Sequence, residues 1–288
     1  MANYKFRIVN VFAETKFGGN PLCVFEDARG IDKETMLALA RQFNLSETTF
    51  LQPSELADAK VFIFTPDHEM RFAGHPTIGS AYVVQDLLNK GTELKLELGI
   101  GIIPLTLVKQ KWTLKVPPFV EPVIRETNIA DSIIAKMLGL NEIDLLDKPV
   151  WVDTGSDQLL IPLKTVESVF RASPVSELSR EWPKSKLNRQ CAYIFAFDEK
   201  EKKPNKIIAR FFFHTDQGGI NEDPATGSAC ANLGAWLLKT KRIGSGNFQI
   251  VQGKVIKRSS YLSLNVLQNQ EIYVGGHVIE IGRGSINI

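Results

Sequence analysis

Asp223-Pro224-Ala225-Thr226-Gly227-Ser228-Ala229 is one copy of a pattern whose other copy is His75-Pro76-Thr77-Ile78-Gly79-Ser80-Ala81. Both read [His/Asp]-Pro-x-x-Gly-Ser-Ala, and both run into an apolar, helix-like segment. The copies lie 148 residues apart, about half of the 288-residue chain. Proline suits the first position of a helix, where its missing N–H costs nothing. That puts His75 and Asp223 at or near helix N-caps, where free backbone N–H groups and the positive dipole end form an anion site. One helix start per half predicts two anion-binding ends facing a shared cleft. Capping requires no glycine four residues on, where it weakens a helix. Gly79 and Gly227 therefore predict the close approach of a ligand or of a second backbone.

Outward from these motifs, strand-like and helix-like stretches follow an order that recurs. Residues 4–12 alternate Phe6, Ile8 and Val11 against Lys5, Arg7 and Asn10, as a half-buried strand does. A turn at Gly18-Gly19-Asn20-Pro21 leads to an apolar strand at 22–25. Asp32 can cap a helix over 33–43 with Met36, Leu37, Ala40 and Phe43 on one face. Strands follow at 44–50 and 61–65, then a helix over 75–88, then two or three strands within 94–116. The second half offers helices near 130–138, 165–171 and 175–181 and strands near 150–152, 159–163, 191–197 and 207–213. A helix over 224–239 and strands at 247–251, 261–266 and 271–281 close the chain. Both motif helices carry few charges, so each is expected to be buried on most sides. The reading is α+β, with two related halves, each wrapping strands around one central helix. The first half is 1–118, with Glu47 and His75; the second is 123–275, with Asp223. The proline-rich run at 116–122 is the crossing, and 276–288 is a terminal strand returning to the first half.

Composition narrows the function. Apolar content of 44% and charged content of 23% are those of an ordinary globular protein. A net charge of +2 gives no electrostatic reason to expect nucleic acid or an anionic membrane as partner. The densest charged run, Glu199-Lys200-Glu201-Lys202-Lys203, is mixed in sign and reads as a solvated turn. No apolar run is long enough to span a bilayer, and the first residues lack the core of a signal peptide. Cys23, Cys191 and Cys230 are odd in number and far apart, so reduced thiols in the cytoplasm are expected. Gly99-Ile100-Gly101 and Gly253-Lys254 fall short of nucleotide signatures, and the histidines and acids show no metal-ligand spacing. No metal site is expected.

Three side chains stand out as candidates for chemistry. Glu47 lies in Ser46-Glu47-Thr48-Thr49, among hydroxyls and away from counter-charges. A carboxylate in a dehydrated cleft has its pKa raised toward neutrality and can shuttle a proton; a solvent-facing Glu in a polar loop fits the same spacing. His75 and Asp223 are the matched positions of the repeat. A histidine at a helix N-terminus tends to be neutral, since the dipole opposes the imidazolium. Asp223 can cap its own helix, which accounts for the residue without any ligand. Gly18-Gly19-Asn20-Pro21 and Thr154-Gly155-Ser156 could offer backbone N–H groups, or be turns only.

The stretches Gly19-Asn20-Pro21, Ser46-Glu47-Thr48, Phe64-Thr65-Pro66, Phe72-Ala73-Gly74-His75-Pro76-Thr77 and Glu222-Asp223-Pro224-Ala225-Thr226-Gly227-Ser228-Ala229 resemble the PhzF family of phenazine-biosynthesis-like isomerases. The resemblance runs from Asn10 to about Gly276. It implies the diaminopimelate-epimerase-like fold: two pseudo-symmetric halves, each a curved, mostly antiparallel sheet, an open barrel around a central helix, with the site between them. It implies Glu47 as the acid/base, with His75 and Asp223 as active-site partners. Asn20, Ser46, Gly74, Gly227 and Ser228 are the implied substrate-binding positions. The implied reaction moves a proton between carbons of a small carboxylated metabolite, without a cofactor, in a cytoplasmic homodimer. A one-base epimerase or dehydratase acting on a small amino or hydroxy acid is the alternative, and a non-enzymatic scaffold the other. The pattern is broken at Phe213-His214-Thr215, where Phe-x-Pro is usual, and at Lys257-Arg258-Ser259-Ser260, where Gly-Arg-Pro-Ser is usual. The epimerases of this fold use a cysteine in each helix-start motif; these motifs carry none, so a two-thiol racemisation is not expected.

Overall fold

The computed structural model describes residues 2–116, 122–199, 205–215, 218–241 and 245–288. Residues 117–121 of the expected crossing and 200–203 of the expected solvated turn lie outside the described residues. The chain forms two compact units, Met1–Lys115 with Val274–Ile288, and Val116–Tyr273.

The first unit contains β1 (Asn3–Val11), β2 (Asn20–Phe25), α1 (Lys33–Phe43), β3 (Glu47–Gln52), β4 (Ala59–Phe64), β5 (Glu69–Met70), α2 (Gly74–Leu88), β6 (Glu93–Leu98), β7 (Gly101–Val108) and β8 (Lys111–Lys115). β1 pairs antiparallel with β2 on one side and with the C-terminal strand Val278–Asn287 on the other. β2 runs parallel to β3, and β3 antiparallel to β4. β4 carries β5 and, in parallel, β6; β7 and β8 extend the sheet antiparallel. The sheet curls around α2, which touches β1, β2, β3, β4, β6 and β8. Period-two alternation sorts the side chains. Leu22 and Thr49 meet α2, while Cys23, Phe25 and Phe50 face α1 in an aromatic cluster with Phe43 and Phe64. Phe25 and Phe50 stack at 4.8 Å between centroids.

The second unit repeats that order. It contains β9 (Val123–Glu126), α3 (Asp131–Met137), β10 (Val150–Asp153), β11 (Asp157–Pro162), α4 (Val166–Arg171), β12 (Cys191–Phe197), β13 (Lys206–His214), β14 (Ile220–Asp223), α5 (Gly227–Thr240), β15 (Gly246–Gln252) and β16 (Ser260–Val266). β11 runs parallel to β12, and β13 carries β14 and, in parallel, β15. β10 to β16 thus match β1 to β7 pairing for pairing. The fold is α+β and of the diaminopimelate-epimerase-like class. No helix among the described residues is long and apolar enough to cross a membrane.

Three local expectations are corrected. The stretch expected as a helix at 175–181 is a 3-10 helix, Ser176–Glu181, between Pro174 and Pro183. Its bonds reach only three residues back, as in Leu178 N–H to Val175 O at 3.1 Å. The single strand expected at 271–281 is two, β17 (Ile272–Gly276) and β18 (Val278–Asn287), divided at His277. The helix starts are displaced from their motifs. α2 begins at Gly74 with Ala73 as N-cap, so His75 and Pro76 lie inside the first turn. α5 begins at Gly227 with Thr226 as N-cap, so Asp223 ends a strand and caps no helix.

Gly79 has a packing reason. A Cβ there would lie 2.5 Å from Leu22 Cδ2 and 2.9 Å from Val11 Cγ2. The approach is by neighbouring side chains on the sheet, which lets α2 lie flush on β1 and β2. Gly79→Ala is expected to cost about 2 kcal/mol by overpacking, read as a lowered urea midpoint. Gly91→Ala, where nothing lies within 4 Å, is the neutral control.

Candidate functional site

In the first unit the candidate groups meet because β2 and β3 are parallel and start at the same end. Asn20 opens β2, Glu47 opens β3, and Leu22 pairs with Glu47 in register. α1 ends at Asn44, which takes a left-handed φ of 51° and turns the chain into β3. The first turn of α2 lies against these strand starts and carries His75. His75 Nε2 stands 3.3 Å from Glu47 Oε2, and Asn20 Nδ2 stands 3.4 Å from His75 Nδ1. Asn20 is fully buried, His75 nearly so, and Glu47 half-buried. Ser46 is exposed at the rim, and Gly74 is buried at the helix start.

Burial pushes the His75 imidazole down to about 3. The helix-dipole argument has the same direction, but desolvation is the cause found. The Asn20 amide nitrogen faces Nδ1; when it donates there, the neutral ring carries its proton on Nε2, the nitrogen that faces Glu47. The 3.3 Å contact is too poorly aligned for a full hydrogen bond, and among the described residues Nε2 has no other hydrogen-bond partner. Glu47 thus sits beside a neutral imidazole.

In the second unit Asp223 closes β14 beside the Arg210–Glu222 pair. Arg210 reaches Glu222 through two bonds, 2.8 and 3.1 Å, and gives Nη1 to the carbonyls of Val169 and Ala172. Thr226 Oγ1 donates to Asp223 Oδ2. Gln252 Nε2 donates to Asp223 O at 2.9 Å and to Thr226 Oγ1 at 3.0 Å, and its Oε1 accepts from Thr226 N–H at 3.3 Å. In this clamp the Asp223 carboxylate is engaged by the hydroxyl of Thr226, the residue that is itself at the N-cap position of α5. Neither α2 nor α5 has a side-chain cap on its first turn.

Gly227 is buried at the start of α5, and Ser228 is half-buried. Ser228 Oγ accepts from Gln158 Nε2 at 2.9 Å. Gln158 Oε1 accepts from Asn232 Nδ2 at 2.8 Å, and Asn232 holds Thr154 and Ser156. The Thr154-Gly155-Ser156 turn is therefore tied to α5. Gln158, Asn232 and Gln252 escaped the sequence reading. One signal was present: an asparagine in the middle of an otherwise apolar, buried helix needs partners for its amide.

The two departures from the family pattern have definite places. The His214 ring lies on Trp182 at 5.0 Å between centroids. Lys257 holds a left-handed φ of 59°, the conformation a glycine takes most easily. The adjacent Arg258 is half-buried, and burial lowers its pKa. Cys230 is fully buried inside α5, and burial pushes its thiol up, so it stays protonated. Among the described residues no group of three His, Cys, Asp or Glu side chains is arranged to hold a metal. A hollow of about 460 Å³ flanks the later turns of α2, lined by Glu14, Tyr82, Gln85, Trp112 and His277; it includes none of the candidate residues.

The model of a family described as "Phenazine biosynthesis-like protein" matches residues 9–284. An uncharacterized isomerase of Pasteurella multocida is 38% identical over 285 residues, 98% of this chain and 94% of that protein. The trans-2,3-dihydro-3-hydroxyanthranilate isomerase of Pseudomonas chlororaphis is 28% identical over 291 residues, 98% of this chain and 99% of that protein. A crystal structure of a PhzF-family phenazine biosynthesis protein from Bacillus anthracis superposes with a TM-score of 0.86 at 22% identity, covering 100% of both chains.

The depressed His75 pKa gives a signed expectation. Between about 6.5 and 3 the unfolded chain protonates this histidine and the folded chain does not. Stability therefore falls as pH drops through that window, by about 2 kcal/mol between pH 7 and pH 5. His75→Asn should remove that portion of the pH dependence, measured as urea midpoints at the two pH values.

Proposed function

The chain belongs to the phenazine biosynthesis-like family of isomerases, and we propose that it moves a proton between carbons of a small carboxylated substrate with Glu47 as general acid and base. One observation carries this reading: Glu47 Oε2 lies 3.3 Å from the Nε2 of a buried, neutral His75. A carboxylate beside a neutral imidazole, and not an imidazolium, keeps the basicity to take a weakly acidic C–H proton, and can return the same proton elsewhere. His75, neutral and with its proton on Nε2, is a donor that can steer Glu47 or steady developing negative charge without adding a full charge to the site. Asn20 is assigned to holding that tautomer, by donating to Nδ1. Asp223 and Ser228 are assigned to holding the substrate, with Ser46, Gly74 and Gly227 as further contacts.

The relative in Pseudomonas chlororaphis is named for a dihydro-hydroxyanthranilate. That molecule carries a carboxylate and a ring whose unsaturation delocalises the carbanion left by proton removal, and a substrate of this class is proposed here. The reaction is proposed to need no cofactor, and the protein to act as a cytoplasmic homodimer.

The test is proton exchange from D2O into a panel of cyclic, amino and hydroxy acids, followed by NMR. Deuterium at a new carbon with a shifted double bond marks the isomerase; deuterium at an inverted stereocentre marks a one-base epimerase instead. Glu47→Gln is expected to lower turnover by about a hundredfold or more while leaving the fold intact. Unchanged turnover in that variant would remove Glu47 from the mechanism.

A further inference from the structure

The repeated Gly-Ser-Ala motif places one serine in each unit, and the two are wired in opposite directions. Ser80 is fully buried and donates its hydroxyl to Thr49 Oγ1 at 3.0 Å. Ser228 is half-buried and accepts at Oγ from Gln158 Nε2 at 2.9 Å. Hydrogen-bond chemistry alone fixes the direction of the chain behind Ser228. The Thr154 backbone N–H can only donate, and it reaches Asn232 Oδ1 at 2.9 Å. The Ser156 carbonyl can only accept, and it takes Asn232 Nδ2 at 2.7 Å. These two backbone groups lock the Asn232 amide in one of its two orientations. Asn232 Nδ2 then donates to Gln158 Oε1 at 2.8 Å, which locks the Gln158 amide in turn. Gln158 therefore presents N–H to Ser228 and cannot present oxygen.

We infer that Gln158 and Asn232 are positioning residues that fix Ser228 as a hydrogen-bond donor, so that this position selects an acceptor group on the ligand, a carboxylate above all. The inward lone pair of Ser228 Oγ is occupied by Gln158. The hydroxyl proton has no acceptor among the described residues and is left for a ligand. Gln158 is 4% exposed and Asn232 is 0% exposed, so water does not compete for these bonds. The inference rests on the reading of Ser228 as a substrate-binding residue and adds the direction in which it binds.

The experiment measures binding of 3-hydroxyanthranilate, the aromatic acid corresponding to the dihydro acid in the Pseudomonas relative's name, by isothermal titration at pH 6 and pH 8. Ser228→Ala should weaken it about tenfold, the loss of one hydrogen bond to a charged group. Gln158→Glu at pH 8 carries an ionised acceptor, which turns the Ser228 proton inward, and should weaken binding by a similar factor. At pH 6 the introduced acid is protonated by its burial, donates again, and should recover much of the affinity relative to wild type. A purely structural role would show no such recovery. The double variant Gln158→Glu/Ser228→Ala should be no weaker than Ser228→Ala, because both changes remove the same bond. Should Gln158→Glu fail to fold, Gln158→Met fills the same space without a donor, and its loss must likewise vanish in the Ser228→Ala background. Additive losses, or wild-type affinity in Gln158→Glu at both pH values beside a weakened Ser228→Ala, overturn the relay and leave the Ser228 reading standing. Wild-type affinity in Ser228→Ala, or no binding by the unmodified protein at millimolar acid, overturns the substrate reading beneath it.

Discussion

A nearly uncharged helix enclosed by strands has to lie flush against them, and in the first unit that close approach sets where the candidate groups fall. Ile78, Ala81, Val83 and Val84 are buried on α2, with Gly74 to Ser80 buried ahead of them. Each large apolar side chain buried this way contributes about 1.5–3 kcal/mol, but only if helix and sheet touch. Gly79 permits the contact by leaving room for Leu22 and Val11. Once α2 is seated on β1 and β2, its first turn has one place to go, against the starts of β2 and β3. His75 is thereby brought to Asn20 and Glu47, residues 55 and 28 positions earlier in the chain.

That seating also sets the electrostatics. Removing the imidazole from water holds it neutral, with the Asn20 amide beside Nδ1 and Glu47 beside Nε2. A charged histidine would form one half of an ion pair with Glu47, whereas a neutral one adds no charge beside it. The same burial that stabilises the helix thus holds His75 neutral, at the cost of stability below neutral pH.

The two units share strand order and pairing but not chemistry. The parallel β2–β3 pair has its counterpart in β11–β12, and the parallel β4–β6 pair in β13–β15. Where the first unit places a histidine inside the first turn of its helix, the second places an aspartate at the end of β14, held by Thr226 and Gln252. Where the first buries its motif serine against Thr49, the second backs its serine with amides. Packing constrains both copies alike, since each central helix must be enclosed. Hydrogen bonding does not, because it depends on side chains supplied by other strands.

Much of this was legible in the chain itself. The duplicated Pro-x-x-Gly-Ser-Ala pattern, the charge-poor helices behind it and the alternating strands gave the α+β class, because periodicity and burial are local consequences of which residues are apolar. The family motifs named Glu47, His75 and Asp223. The helix starts were misread because capping rules see only neighbours in sequence, whereas Thr226 is drawn to Gln252, 26 residues away. Gly79 points in sequence to a ligand or a second backbone, and the atoms against it are instead the side chains of Leu22 and Val11. The neutrality of His75 and the orientation of the Gln158 amide behind Ser228 were decided by tertiary structure alone. The first follows from burial against strands distant in sequence, the second from Asn232 and the backbone groups that lie opposite it in space.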